Sequence, residues 1–379
     1  MPENPLLTVK SLGQSIWLDS IRRGHIASGD LARMVERDGV SGETSNPAIF
    51  EKAIVGGNDY TGAIVDLVGQ GKSALDVYET LAVADVTAAC DVFRPVYDAT
   101  KGLDGFVSLE VSPRLAYDTQ GTIAEAQRLW RLVNRPNVMI KIPGTPAGLP
   151  AIEQCLTEGL NINITLLFAV PVYEDVARTY VRALEARVAK GKAVDRIASV
   201  ASFFVSRIDT LADTWIEEKR KSAPSLDAEL RSLEGHIAIA NAQRAYQRFL
   251  AIFGEPGFRA LAEKGARVQR PLWASTSTKN PKYRDVVYVE SLIGKDTVNT
   301  LPFETIDAFR DHGKAQPTIE RGVDEAEATL SKLESLGISL QAVTDQVLRE
   351  GVEKFAEPFN KLIQTIEAKR QATTVSPSR

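Results

Sequence analysis

The sequence predicts an α/β fold, a closed (β/α)8 barrel with additional helices. Short β-like runs alternate with longer helical patterns along most of the 379 residues. That alternation implies parallel strands joined by helical crossovers. There are eight such runs, and eight parallel strands close most simply on themselves, as in a TIM barrel. An open doubly wound sheet is the competing arrangement, but it would normally carry a Gly-rich nucleotide loop, which the chain lacks.

In order, the runs are SIWLDS (15–20), DGVSGET (38–44), FVSLEV (106–111), NVMIKI (137–142), LNINITLLF (160–168), IASVASFFV (197–205), PLWAS (271–275) and VVYVES (286–291). The second is Gly-rich, and the seventh starts at a proline, which blurs its boundary. Ser73-Ala-Leu-Asp76 and Thr122-Ile-Ala-Glu125 fit the capping-box pattern that opens a helix. Gly71, Gly159 and Gly191 stand where helices would stop. Ile123, Ala126, Trp130 and Val133 give one crossover helix a buried stripe. The long stretches 45–105 and 206–270 read as extra helices rather than structureless loops. After Pro302 the chain reads as wholly helical, with a charged periodic run from Ile319 to Arg370. The whole of 1–379 is read as one barrel domain, with 303–370 as helical decoration and 371–379 as a disordered polar tail.

Apolar residues make up 44% of the chain, enough for a sizeable core. Lys plus Arg number 45 against 49 Asp plus Glu, a net charge of −4, which argues against a nucleic-acid footprint. The balance leaves room for small anionic substrates, which need only a few local cations. Cys90 and Cys155 make no disulfide framework. The start MPENPLLTVKSLGQ has no basic-then-apolar pattern, and no apolar run approaches the ~20 residues of a membrane helix. A cytoplasmic home is expected.

The strands carry polar residues on one parity. In NVMIKI, Val138, Ile140 and Ile142 alternate with Met139 and Lys141. If the aliphatic face packs under helices, Lys141 points into the bore, where desolvation favours the neutral amine that attacks carbonyls. On this segment alone, a strand-end lysine that snorkels to water or pairs with a carboxylate explains the pattern equally well. Other strands repeat it, with Asp19 in SIWLDS, Ser108 and Glu110 in FVSLEV, and Asn161, Asn163 and Thr165 in LNINITLLF. A parallel sheet covered by helices has no wet face, so these groups must line the interior. Asp19, Glu110, Lys141, Asn163 and Thr165 fall where barrel enzymes keep their chemistry. Any one of them has a structural explanation. Together they supply what carbonyl chemistry needs: a nucleophile, proton carriers and hydrogen-bond donors.

Metal chemistry fits poorly, since His25, His236 and His312 share no ligand spacing. GETSNPAIF (42–50) is no Walker motif, and Asn46 before Pro47 reads first as a helix-start residue. Arg207 follows the sixth run and Lys279 the seventh, with Ser275 beside it, and loops after late strands are frequent phosphate sites. A solvated loop charge is the commoner fate of a single Arg or Lys.

Taken together, SIWLDSIRRG, TSNPAIFEKAI, VSLEVSPRLAYDT, NVMIKIPGTPAGLPAI, GLNINITLLF, ASFFVSRID, PLWASTSTKNP and YVESLIGKDTVNTLP resemble the transaldolases, class I aldolases of the pentose phosphate pathway. The matching segments run in order from about residue 13 to 303. The resemblance implies that Lys141 forms a Schiff base with a ketose carbonyl and that Asp19 is the general acid/base at the breaking carbon–carbon bond. It implies that Glu110 and Thr165 hold and activate the water of carbinolamine formation, and that Asn46 and Asn163 bind hydroxyls of the dihydroxyacetone unit. Ser202 and Phe204 fall at the family's SxF position, and Arg207 matches a phosphate-binding arginine. Many members carry Ser-Phe-Arg-Asn after the seventh strand. This chain has Ala274-Ser275-Thr-Ser-Thr-Lys279-Asn280, so the second phosphate cation expected is Lys279, a point charge rather than a fork.

The implied reaction moves a dihydroxyacetone unit from fructose 6-phosphate or sedoheptulose 7-phosphate to glyceraldehyde 3-phosphate or erythrose 4-phosphate. No metal or organic cofactor is implied. Partners are the phosphorylated sugars, with no nucleic acid and no membrane, and the assembly is a monomer or a homodimer. A fructose 6-phosphate aldolase releasing free dihydroxyacetone, or a non-catalytic sugar-phosphate-binding barrel, are the alternatives.

Overall fold

The computed structural model describes residues 4–375. Its strands are β1 Gln14–Asp19, β2 Glu43–Thr44, β3 Val107–Glu110, β4 Val138–Pro143, β5 Ile162–Leu167, β6 Ser199–Phe204, β7 Arg270–Ala274 and β8 Thr297–Leu301. Each pairs in parallel with the next, and β8 pairs with β1, closing the barrel. Val107, Leu109, Val138, Ile140, Ile142, Ile162 and Ile164 are buried. Their parity is the one opposite to Lys141 and Glu110, so the aliphatic face lies under the helices and the polar parity faces the bore.

The eighth strand differs from expectation. Residues 286–291 form no strand: Val287–Ser291 is a short helix whose Tyr288 hydroxyl donates to Asp209 at 2.8 Å. The strand lies downstream in TVNTL, where Asn299 aligns with Trp273 of β7 and Thr300 with Trp17 of β1. The run at 286–291 carried β propensity, whereas TVNTL shows no clean alternation, because register puts Thr300 on the face of Trp17 and Asp19 and Asn299 on the opposite face. Ser73 caps the helix Ala74–Ala99 with a complete capping box. The crossover helix Thr119–Val133 is instead capped by Asp118, which accepts from Gly121 N, and Glu125 turns outward to accept from Ser112 N at 2.8 Å.

The C-terminal helices reach the mouth of the barrel. Helix Phe303–His312 directly follows β8, helix Val323–Ser335 follows it, and a long helix, Leu340–Val375, packs across the mouth against the helix Pro47–Val55 and β5. Segments 313–322 and 336–339 separate the three, so the region is not continuously helical. The last helix continues to Val375, past the point where the tail was expected to lose structure, and residues 376–379 lie outside the described residues.

The other end of the barrel is plugged. Trp17 Nε1 donates to Asp104 at 2.7 Å, and Ser15 and Ser41 also donate to that carboxylate. Arg270 donates to Ser15 Oγ and Thr297 O, both at 2.6 Å, and stands 3.8 Å from Asp104. Satisfied buried groups of this kind hold shape and leave little free for chemistry. Gly42 lies against the Trp17 indole: a Cβ there would sit 2.6 Å from three ring atoms. We expect Gly42→Ala to lower unfolding free energy by about 1–3 kcal/mol through overpacking of this buried ring. Denaturant melts check this, and an unchanged midpoint would refute it.

Candidate active site

Strand register lines the expected residues up. Glu110 is opposite Lys141, and Lys141 is opposite Asn163. Asp19 and Glu110 end their strands, whereas Asn163 is only the second residue of β5. The stagger between β4 and β5 brings it level with Lys141, so its depth in the barrel follows from register rather than from its place in the strand.

Lys141 is 4% exposed, and its Nζ lies 3.4 Å from Glu110 Oε2 and donates to the Ser45 carbonyl at 3.3 Å. Burial pushes the Glu110 carboxyl up to about 7. Lys141 opposes that shift, and the nearby Asp19 adds to it. Asp19 is also raised by burial, against the pull of Lys141, the Thr44 hydroxyl, Lys279 and Arg207. Thr44 Oγ1 sits 2.7 Å from both Asp19 Oδ1 and Thr300 Oγ1.

Asn163 donates to Ser108 Oγ at 3.0 Å and accepts from Ser202 at 2.7 Å, a chain running across β3, β5 and β6 in the bore. Thr165 Oγ1 and Glu110 Oε2 are buried without a hydrogen-bond partner among the described residues. Such orphaned polar atoms are uncommon in native interiors and call for an occupant. Leu166, next to Thr165, has φ of 61° where the β5–β6 register shifts, a backbone cost concentrated at the site.

Above this layer is a cavity of about 310 Å³. Asp19, Asn46, Phe204, Arg207, Ser275 and Lys279 line it, as do Lys52, Thr300, Lys354 and Phe355. Asn46 caps the helix Pro47–Val55, its Oδ1 accepting from Ile49 N at 3.0 Å, and still faces the cavity. Capping and substrate contact are therefore compatible, because the amide nitrogen stays free of the cap. Lys141, Glu110, Asn163, Thr165 and Ser202 lie outside that lining, nearer the bore. Arg207 is drawn down by burial, and its Nη1 is buried without a partner. The loop carrying Ser275 and Lys279 is braced to the helix Ser206–Ser222. Tyr283 and Tyr288 donate to Asp213 and Asp209 of that helix at 2.7 and 2.8 Å.

Sequence reasoning missed Thr44, Ser45, Lys52, Thr300, Lys354 and Phe355. Thr44 and Ser45 stood beside Asn46 in GETSN, and Thr300 was hidden by the misplaced eighth strand. Nothing local marks Lys354 and Phe355, which read as an ordinary charged and apolar pair on an amphipathic helix. Among the described residues, no group of three His, Cys, Asp or Glu could hold a metal ion, and no helix is long and apolar enough to cross a membrane.

A closed parallel barrel with a buried lysine between carboxyls at the C-terminal ends of its strands defines an enzyme of the barrel class. Residues 16–366 match the Transaldolase/Fructose-6-phosphate aldolase family. A protein named Transaldolase from Trichodesmium erythraeum is 48% identical over 99% of this chain and 100% of its own length. Transaldolase 2 from a Nostoc species is 50% identical over 97% and 98%, and Transaldolase from Thermobifida fusca 44% over 98% and 100%. The chain belongs to this family and is a transferase of the transaldolase kind.

The raised Glu110 carboxyl has a consequence for stability. Its folded pKa of about 7 exceeds the ordinary 4.5, so folding takes up a proton between those values. Its contribution is full below 4.5 and is lost as pH rises through about 7. Relative to Glu110→Gln, the native chain should therefore lose on the order of 2 kcal/mol between about pH 4.5 and 8. Urea melts across that range read it, and parallel curves for the two proteins would rule it out.

Proposed function

We propose that the chain moves a dihydroxyacetone unit between phosphorylated sugars through a Schiff base on Lys141. The observation that carries this reading is the buried Lys141–Glu110 contact of 3.4 Å, with Asp19 lining the cation-rich cavity. The Lys141 amine adds to the ketose carbonyl, giving a carbinolamine whose hydroxyl leaves as water to form the iminium. Glu110, titrating about 7, carries protons for those steps, and Thr165 helps hold the water. Asp19 accepts the proton of the hydroxyl on the far side of the breaking bond. The bond's electron pair enters the iminium, giving an enamine and releasing an aldose phosphate. The enamine then attacks a second aldose phosphate, Asp19 returns the proton, and water frees the product ketose.

Asn46 and Asn163 bind hydroxyls of the three-carbon unit, Ser202 orients Asn163, and Phe204 flanks the chain. Arg207 binds the phosphate, with Lys279 as second cation and Ser275 beside it. Fructose 6-phosphate and sedoheptulose 7-phosphate are the donors, with glyceraldehyde 3-phosphate and erythrose 4-phosphate as acceptors. The reading needs no metal or organic cofactor and fits a cytoplasmic enzyme.

Borohydride reduction in the presence of fructose 6-phosphate should trap an adduct that peptide mass mapping assigns to Lys141; an adduct on another lysine would falsify the assignment. Asp19→Ala should keep trapping but cut turnover by at least ~100-fold, the usual scale for losing a proton carrier. Lost trapping with turnover spared contradicts the role given to Asp19. Release of free dihydroxyacetone as fast as transfer would favour an aldolase instead.

A further inference from the structure

The last helix has no task in the reaction, yet it reaches the centre of the site. Gly351 lets it approach: a Cβ there would lie 3.2 Å from Leu166 Cδ2 and 3.6 Å from Phe168, at the strained end of β5. One turn further on, Phe355 enters the mouth and is 7% exposed. Its ring centroid is 5.6 Å from Lys141 Nζ and 5.8 Å from Arg207 Cζ. Arg207 Cζ also lies 5.3 Å from the Phe204 ring, and the two phenyl rings are 6.4 Å apart at 68°.

Arg207 therefore sits against two aromatic rings and forms no ion pair among the described residues. The difference matters chemically. A carboxylate would hold a guanidinium through its N–H donors and neutralise it. Aromatic rings hold it through their π systems and leave the donors available to an incoming anion. The buried, unpartnered Nη1 is such a donor.

We propose that Phe355 is a positioning residue that forms, with Phe204, an aromatic clamp on Arg207, and that the clamp sets the preference for phosphorylated over unphosphorylated sugars. Holding the guanidinium in place removes ordering that the phosphate would otherwise have to impose on binding. The inference rests on the reading of Arg207 as the phosphate ligand.

The test compares glyceraldehyde 3-phosphate with glyceraldehyde as acceptors for one donor, in the native chain, Phe355→Leu and Arg207→Ala. Inorganic phosphate serves as a competitive inhibitor, and circular dichroism and melting verify the fold. Phe355→Leu keeps most of the volume without a π face, and Phe355→Met replaces it should it not fold. For the Phe355 variant, kcat/KM should fall about tenfold more with the phosphorylated acceptor, mainly through KM, and phosphate inhibition should weaken in step. The double variant should lose no further discrimination beyond Arg207→Ala. Equal losses for both acceptors, or no change, overturn the clamp. If Arg207→Ala abolishes discrimination while Phe355→Leu preserves it, the clamp alone fails. If Arg207→Ala leaves discrimination intact, the phosphate assignment fails first.

Discussion

An amine and a carboxyl held 3.4 Å apart in a bore sealed from water are what the rest of the structure is arranged around. Removing two charges from water is expensive, and their attraction offsets that cost only when the geometry is close and the remaining polar atoms are served. Here the geometry comes from register, with Glu110, Lys141 and Asn163 lying abreast on three neighbouring strands. Glu43 makes an instructive contrast. Its carboxyl is just as buried, but it meets Asp85 rather than a cation and is driven well above the carboxylate range. Burial with a cation leaves Glu110 near neutrality, where a carboxyl can both give and take a proton. Burial without one drives the Glu43 carboxyl well above the usual range.

Much of this was legible because parity is a local property. Lys141, Glu110 and Thr165 could each be placed in the bore by counting alternate residues, and that count needs no knowledge of partners. Asn163 follows from the same count, but its level beside Lys141 is set by register, which depends on the neighbouring strand. Thr300 was lost when the β-branched run at 286–291 outweighed TVNTL, where polar Thr297 and Asn299 fall on the parity opposite to Thr300 and blur the pattern. Phe355 was illegible for a different reason. On an amphipathic helix, an apolar residue facing a core and one facing a substrate have the same spacing, and only the docked position of the helix tells them apart.

The two ends of the barrel use their buried polar groups differently. At the N-terminal end, Asp104 receives Trp17, Ser15 and Ser41 and faces Arg270, so its polar groups are consumed by one another. At the C-terminal end, Thr165 Oγ1 and Arg207 Nη1 remain without a hydrogen-bond partner, and Leu166 and Ser275 hold left-handed backbone conformations. Unpartnered atoms also occur at the N-terminal end, at Gln14 Oε1, Asn137 Oδ1 and Gln269 Oε1, so what sets the mouth apart is that its free groups stand beside a cavity and the Lys141 layer.

Charge is apportioned in the same way. The chain carries a net −4, which on average repels an anionic sugar. The cavity nevertheless gathers Lys52, Arg207, Lys279 and Lys354 against Asp19 and Glu304. These cations come from the helix Pro47–Val55, the helix after β6, the loop after β7 and the last helix. Each alone would read as an ordinary surface charge. Low-dielectric walls such as Phe204 and Phe355 concentrate their field on the space between them, so the local potential rather than the total charge decides what enters. Because Asp19 is held toward its neutral form by burial, the acidic side of that balance is weaker than a count of residues implies. Ionising Asp19 to act as a base is favoured by the cations already there, and a bound phosphate would offset them.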